Sequence, residues 1–417
     1  MAGTQQHKRF LSVVATTFLS ACLVALALNY LVDPYGLFGS RRIAGLNALK
    51  PAAAEKVRIA KPYMASREKP RVVIGGNSRP EMGLNPQSAC WAEADQPVFN
   101  SAIPGADVFM QVRYVQHAAE SGLARRIVFG VDFLDFLVDA SQATGRIDWN
   151  ALGRNFDGRL IPGAEDGFSL PVSRQQAEDV FAGLFSLAAV GDSLSTVASQ
   201  RDIHAATREA NGFNPAQDYL PIIRSEGQAV LFMQKNAELR KRLQPVNLGV
   251  LDANGQPAKP FLALRGMLEW ARSRGIEVIL FINPYHSDYL IQIEASGKWP
   301  LLEQWKRQLA GMAAEYAVPL WDFNTVDRYS TEAPPAPHDR RTVLRWFWEP
   351  AHYRQELGDI MLSSMLARPC SDPSAGFGAR VTQASLSPHL DKLRTDLSRF
   401  IRQHPDRGYR LAAGGSR

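Results

Sequence analysis

The chain has 417 residues, 46% of them apolar and 21% charged, proportions that exclude a disordered or collagen-like polypeptide and permit one large domain or two to three ordinary ones. Its formal charge of +6 is spread along the sequence, the densest pairs being Arg41-Arg42, Arg125-Arg126 and Arg340-Arg341. That spread lacks the basic patch with interleaved aromatics typical of nucleic-acid binding and suits a mildly basic surface facing an anionic membrane or glycan.

The first element is an apolar run from Phe10 to Val32, uncharged over 23 residues and preceded by His7, Lys8 and Arg9. A spanning helix needs ~20 apolar residues, whereas a cleavable signal core has ~7–15. The run is therefore expected to be a retained transmembrane anchor over 10–32, behind a short cytoplasmic segment, 1–9. Cleavage after Ala25-Leu26-Ala27 is the competing reading. Lys8 and Arg9 before the run, against Asp33 after it, put the N-terminus in the cytoplasm and the rest outside it. For a bacterial inner-membrane protein the outside is the periplasm.

A juxtamembrane segment, 33–69, carries DPYGLFG and an Ala/Lys-rich helical stretch near 50–66. Strand patterns at 71–75, 97–100 and 126–131, with a helical pattern at 106–121 between the last two, begin an α/β domain expected over 70–372. Residues 140–258 break the rhythm with helical patterns near 173–208 and 223–244, and read as a helical insertion. Alternation resumes with a helix at 259–274, a strand at 276–283, a helix near 299–316, a strand at 318–323 and a helix near 354–367. Such alternation predicts a parallel sheet covered on both faces. Residues 373–417 read as a polar tail with one amphipathic helix near 386–403. Cys22 lies in the apolar run, leaving Cys90 and Cys370 either to form one disulfide in an exported domain or to remain as two buried thiols. With no CxxC or Cys/His cluster, no structural metal site is expected.

One stretch raises a chemical question. VVIGGNSRPEMG, residues 72–83, ends an apolar strand on two glycines and then presents Ser78. No lysine follows the glycines, so it is not a P-loop, and Gly75 and Gly76 are adjacent, so it is not a dinucleotide fingerprint. Pro80 stands where a G-x-S-x-G elbow needs glycine. What remains is a turn exposing a hydroxyl at the carboxyl end of a parallel strand, where open α/β sheets place their sites. A helix N-cap is the plain alternative for Ser78. A nucleophilic serine needs a base and an orienting acid. Among the eight histidines, His352 in WEPAHY has Glu349 three residues before it, against the alternative of a solvated pair at a helix start. His286 follows a strand end in INPYHSDY and is a candidate for lining a site.

Taken in order, G-G-N-S-R at 75–79, N-S-A-I-P-G at 100–105, G-V-D-F at 130–133 and E-P-A-H at 349–352 resemble the SGNH (GDSL-like) hydrolase superfamily. Within it they look most like the membrane-anchored branch related to alginate O-acetyltransferases, which DPYG and the strand-end N-P-Y-H also suit. The resemblance implies a flavodoxin-like three-layer α/β sandwich in which Ser78 is the nucleophile, His352 the base and Glu349 the acid. The N–H groups of Ser78 and Gly105 would receive the oxyanion. Asp132 stands where the superfamily has an oxyanion-hole Asn, leaving Asn100 or Asn77 to replace it, and Asp322 in LWDFN is the alternative acid, or else caps a turn. Arg79 and His286 are the expected substrate-binding residues, Arg79 having a surface ion pair as its other reading. The implied activity is ester hydrolysis or O-acyl transfer, acetyl in the nearest branch, on an envelope or exported glycan. It implies no cofactor and no metal, and a membrane-bound acyltransferase as a partner. Asp132 and Glu349, as departures from the pattern, also fit a catalytically silent glycan-binding or assembly protein.

Overall fold

The computed structural model describes residues 2–154, 156–161, 173–370 and 376–407. Its centre is a six-stranded sheet made of β1 (Val72–Gly75), β2 (Val98–Asn100), β3 (Arg126–Val131), β4 (Glu277–Ile282), β5 (Leu320–Asp322) and β6 (Ala379–Val381). The strand order is β6-β5-β4-β3-β1-β2, parallel throughout except for β6, which runs antiparallel to β5. The first five strands follow the doubly wound order 2-1-3-4-5, whose connections reverse direction beside β1 and open a crevice at the strands' carboxyl ends.

Side-chain alternation explains why both faces need a cover. Val73, Phe99, Ile127, Phe129 and Leu280 point into a core shared with helices Val108–Ser121, Lys259–Ser273 and Trp299–Glu315. Val72, Ile74, Val128 and Ile279 point the other way, onto helix Gln355–Met365 and Tyr353. Helices thus lie on both sides of a mostly parallel sheet.

The segment read as a polar tail belongs to this domain, in part. Residues 379–381 supply β6, and helix Gln383–Gln403 buries Leu386, Leu390, Leu393, Leu397 and Phe400 in the main core. Its polar residues dominate the composition while its apolar stripe follows the helical period, so average polarity concealed the packing. Residues 373–375 and 408–417 of that segment lie outside the described residues. Cys90 and Cys370 form a disulfide across 280 residues of sequence, tying the loop after β1 to the end of helix Gln355–Met365.

At the other end, the helix Ala2–Val32 carries the apolar run and holds a 28-residue segment, Gln5–Val32, long and apolar enough to cross a membrane. Asp33 turns the chain at its end with φ +47°. Its carboxylate accepts the N–H groups of Leu37, Phe38, Gly39 and Ser40 at 2.7, 3.2, 3.0 and 3.3 Å. Lys50 Nζ donates to the carbonyls of Val32 and Asp33 at 2.8 and 2.7 Å, satisfying helix-end acceptors.

Glycine sets one close approach. The helix Ser78–Gly83 crosses Gln355–Met365 so tightly that a Cβ on Gly358 would stand 1.8 Å from the Gly83 carbonyl oxygen. Gly358→Ala must push the two helices apart, and is expected to lower stability by roughly 1–3 kcal/mol in urea unfolding. An unchanged midpoint would show that the contact relaxes at no cost.

Candidate active site

β1 ends at Gly75, and Gly76 turns the chain at φ +131°. A side chain at Gly76 would meet the Gly130 carbonyl oxygen at 2.7 Å, so the backbone approaches β3 as only glycine allows. The next residue, Asn77, caps the short helix: its Oδ1 accepts the Arg79 N–H at 3.0 Å. The capping role open to Ser78 is thus taken by its neighbour, and Ser78 is the first helical residue, half-buried at the crevice.

The partner comes from the far end of the sequence. Ser78 Oγ lies 2.7 Å from His352 Nε2, 274 residues away. His352 sits on a two-stranded hairpin, Phe347–Glu349 with His352–Tyr353, in which Glu349 and His352 face each other across the turn Pro350-Ala351. Directly opposed residues lie close enough for their side chains to meet, and Glu349 Oε1 accepts from His352 Nδ1. A carboxylate only accepts, so Nδ1 carries the proton and Nε2 is left to accept from the serine hydroxyl. The E-x-x-H spacing is that of a hairpin, where the sequence suggested the approach to a helix.

Glu349 is buried. Burial alone would raise its carboxyl, but the His352 ring beside it and the Ala351 N–H, which donates to Oε2 at 2.8 Å, hold it below the ordinary value. The hairpin is itself fixed from two sides. His286 N–H donates to the Pro350 carbonyl at 3.0 Å. Gln228 Nε2, at the start of helix Gln228–Leu243 in the insertion, donates to the Phe347 and Trp348 carbonyls at 2.8 and 2.9 Å.

Several residues expected at the site serve other ends. Asn100 Nδ2 donates to the Pro80 and Leu84 carbonyls at 2.8 and 2.9 Å, so its amide holds the Ser78 helix and is engaged before any oxyanion arrives. Asn77 Nδ2 is likewise taken by Asp135 at 2.9 Å. Arg79 is buried and paired with Asp132 at 2.9 Å, over the ring of Tyr285, whose hydroxyl donates to the same carboxylate at 2.8 Å. Asp132 therefore anchors a cation beneath the serine, and Arg79 is spent on that pair rather than on substrate. His286 is fully buried: Nδ1 accepts the Asp288 N–H at 3.2 Å and Nε2 donates to the Glu332 carbonyl at 2.7 Å. It braces the Glu349 turn and cannot line the crevice. Asp322 pairs with Lys306 at 2.6 Å and His389 at 2.9 Å, so the alternative acid fastens the C-terminal helix to β5 instead of meeting His352. Gly105 turns at φ +64° on the surface, its carbonyl accepting from Arg58 at 3.2 Å.

A buried ion cluster ties the insertion to the Ser78 helix and had no sequence signal. Glu81 meets Lys61 at 2.9 Å and Arg208 at 2.8 Å, and Asn214 N–H donates to its carbonyl at 3.1 Å. Elsewhere, a concavity of about 470 Å³ lined by Phe109, Arg113, Trp149 and Trp270 shares no residue with this site. Among the described residues, no group of three or more His, Cys, Asp and Glu side chains is placed to hold a metal ion.

The buried histidines set an acid response. Burial pushes His117 and His286 down to about 4, so both fold neutral. Their stabilising contribution is complete above the unfolded value near 6.5 and is lost as pH falls toward 4, because the unfolded chain takes up protons that the native one declines. Asp135, pushed up to about 6 by burial and by Asp132, works the opposite way and offsets one of them. The net expectation is a falling urea midpoint from pH 6.5 to 5, each unopposed histidine costing at most roughly 1.4 kcal/mol per pH unit. A flat or rising midpoint over that range would contradict it.

Comparison with protein-family models, curated proteins and solved structures found no match to the chain.

Proposed function

We propose that this chain is a membrane-anchored serine esterase or O-acyltransferase of the SGNH type, acting through an acyl-serine on an acylated, by resemblance acetylated, envelope or exported glycan. The observation that carries the reading is the chain of hydrogen bonds from Ser78 Oγ through both ring nitrogens of His352 to buried Glu349. In the proposed reaction, His352 Nε2 takes the hydroxyl proton as Oγ bonds to the ester carbonyl carbon, and the backbone N–H groups of Ser78 and Gly105 receive the oxyanion. The intermediate collapses, and His352 returns the proton to the leaving alkoxide. Water or a sugar hydroxyl, deprotonated in turn by His352, then releases the acyl group. In the transferase case the acyl group is expected from a membrane-bound acyltransferase.

Two features support a domain outside the cytoplasm, and with it an inner-membrane protein with a periplasmic site. One is Lys8 and Arg9 ahead of the apolar helix. The other is the Cys90–Cys370 disulfide, of a kind that persists in oxidising compartments.

A second reading, a silent glycan-binding protein, is favoured by one observation: Asn100 spends both amide hydrogens on the Pro80 and Leu84 carbonyls, Asn77 is held by Asp135, and Asp132 is a carboxylate paired with Arg79, so the side chains expected in the oxyanion hole are engaged elsewhere. A fluorophosphonate probe decides between the two. Labelling of the folded chain at Ser78, located by peptide mass and blocked by prior acylation, is the expected result. A folded chain whose Ser78 stays unlabelled would establish the binding-protein reading.

A further inference from the structure

The helices Arg174–Phe185 and Leu187–Ala198 meet at Ser186 with a 62° bend. We infer that this bend is a second membrane contact, dipping into the phospholipid headgroup layer beside the N-terminal helix. The inference rests on that helix being seated in a bilayer.

Composition is the first argument. From Val180 to Gly191 the sequence VFAGLFSLAAVG carries no charge. Such a stretch is too short to span, yet its large side chains point outward: Phe181 is 67% exposed, Phe185 49% and Leu187 88%. Facing water they form an apolar patch at the bend, without gain to the fold.

The nearest charges are withdrawn from that tip. Asp179 is held by Arg159 at 2.8 Å, and Asp192 by Lys56 at 2.9 Å and the Tyr35 hydroxyl at 2.6 Å. Arg174 and Glu178 pair with each other at 2.8 Å, at the end of the helix remote from the bend.

Depth is the decisive argument, because the N-terminal helix sets it. Asn29, a polar residue inside the apolar run, is fully buried by the bend. Its Nδ2 donates to the Leu184 carbonyl at 2.9 Å, and its Oδ1 accepts from Ser193 Oγ at 2.9 Å. Asn29 precedes Asp33 by four residues, so at 1.5 Å per residue the bend meets the helix about 6 Å inside the end of its apolar stretch. Interfacial helices bury their apolar faces ~5–10 Å into the headgroup and acyl boundary. The bend is therefore held at that depth by a spanning helix, and both of its arms return to the domain, so it lies in the interface without crossing.

The test uses the full chain in phosphatidylcholine/phosphatidylglycerol vesicles carrying lipids spin-labelled near the headgroup or deep in the acyl chain. An environment-sensitive fluorophore is placed at Phe185→Cys or Leu187→Cys in a Cys22→Ser background, or on Val246→Cys, an exposed control position. A further sample is labelled at native Cys22, the one free thiol among the described residues. The expected result is several-fold stronger quenching at 185 and 187 than at 246, greater with the shallow label than the deep one, with Cys22 quenched most by the deep label. Quenching at 185 and 187 no greater than at 246, while Cys22 is quenched, overturns the inference and leaves the anchor standing. An unquenched Cys22 removes the anchor and this inference together. Concentration-dependent shielding of 185 and 187 without lipid quenching assigns the patch to a second copy of the chain and also overturns it.

Discussion

Alanine at Ser78 or at His352 is expected to lower turnover of an activated acetyl ester roughly 10³- to 10⁶-fold, with KM little changed. The two side chains act through one hydrogen bond of 2.7 Å, so each removal disables the same proton transfer, and the double variant should be no slower than the worse single one. Ser78→Ala removes only a half-buried hydroxyl, so its unfolding midpoint should stay close to the parent's, whereas His352→Ala takes away a buried ring and leaves the buried Glu349 carboxylate without its partner, so its midpoint should fall. Turnover equal to the parent's in both variants, with the fold intact, would remove the covalent mechanism altogether.

The second large effect separates the two acids. In Glu349→Gln the new amide can donate to His352 Nδ1, which drives the ring proton to Nε2 and leaves no acceptor for the serine hydroxyl. A wrong tautomer of this kind costs about 10⁴-fold in rate. Asp322→Asn should do the reverse. It leaves Lys306, fully buried, without its counter-charge, a loss of about 3–5 kcal/mol in stability, while the surviving folded protein turns over normally. The pH dependence differs as well. Burial would raise the Asp322 carboxyl, but Lys306 and His389 bring it down to about 2. Its contribution is present above the unfolded value near 4 and is lost as pH falls toward 2, an acid limb that the Asn variant should lack. A rate loss at Asp322 with none at Glu349 would exchange their roles.

Much of the sheet could be read from the chain because its strands are short apolar runs between turns. The run at 126–131 coincides with β3, and the parallel order follows from the helices between strands. Ser78, His352 and Glu349 were legible for a local reason: a strand-end turn, and an acid three residues before its histidine. What the sequence concealed is long-range pairing. Arg79 looked available because nothing nearby in sequence announces Asp132, and His286 looked able to line a site because a strand end alone does not say what packs above it. Lys61, Glu81 and Arg208 form one buried cluster although 127 residues separate the last two. Gln228, which holds the hairpin carbonyls, sits in an insertion whose composition marks only helix.

Because Glu349 and His352 share one two-residue hairpin, their contact does not depend on how far the crevice is open. The hairpin also packs on the Ser78 helix, Tyr353 lying against Gly83, so the serine–imidazole bond is the polar part of a larger packed joint. Under the proposed mechanism the acid–base pair is thus assembled whether or not the serine hydroxyl is engaged. In that mechanism the rate would be the intrinsic rate multiplied by the fraction of time the serine–imidazole bond is made, and whatever displaces the hairpin would act as a throttle.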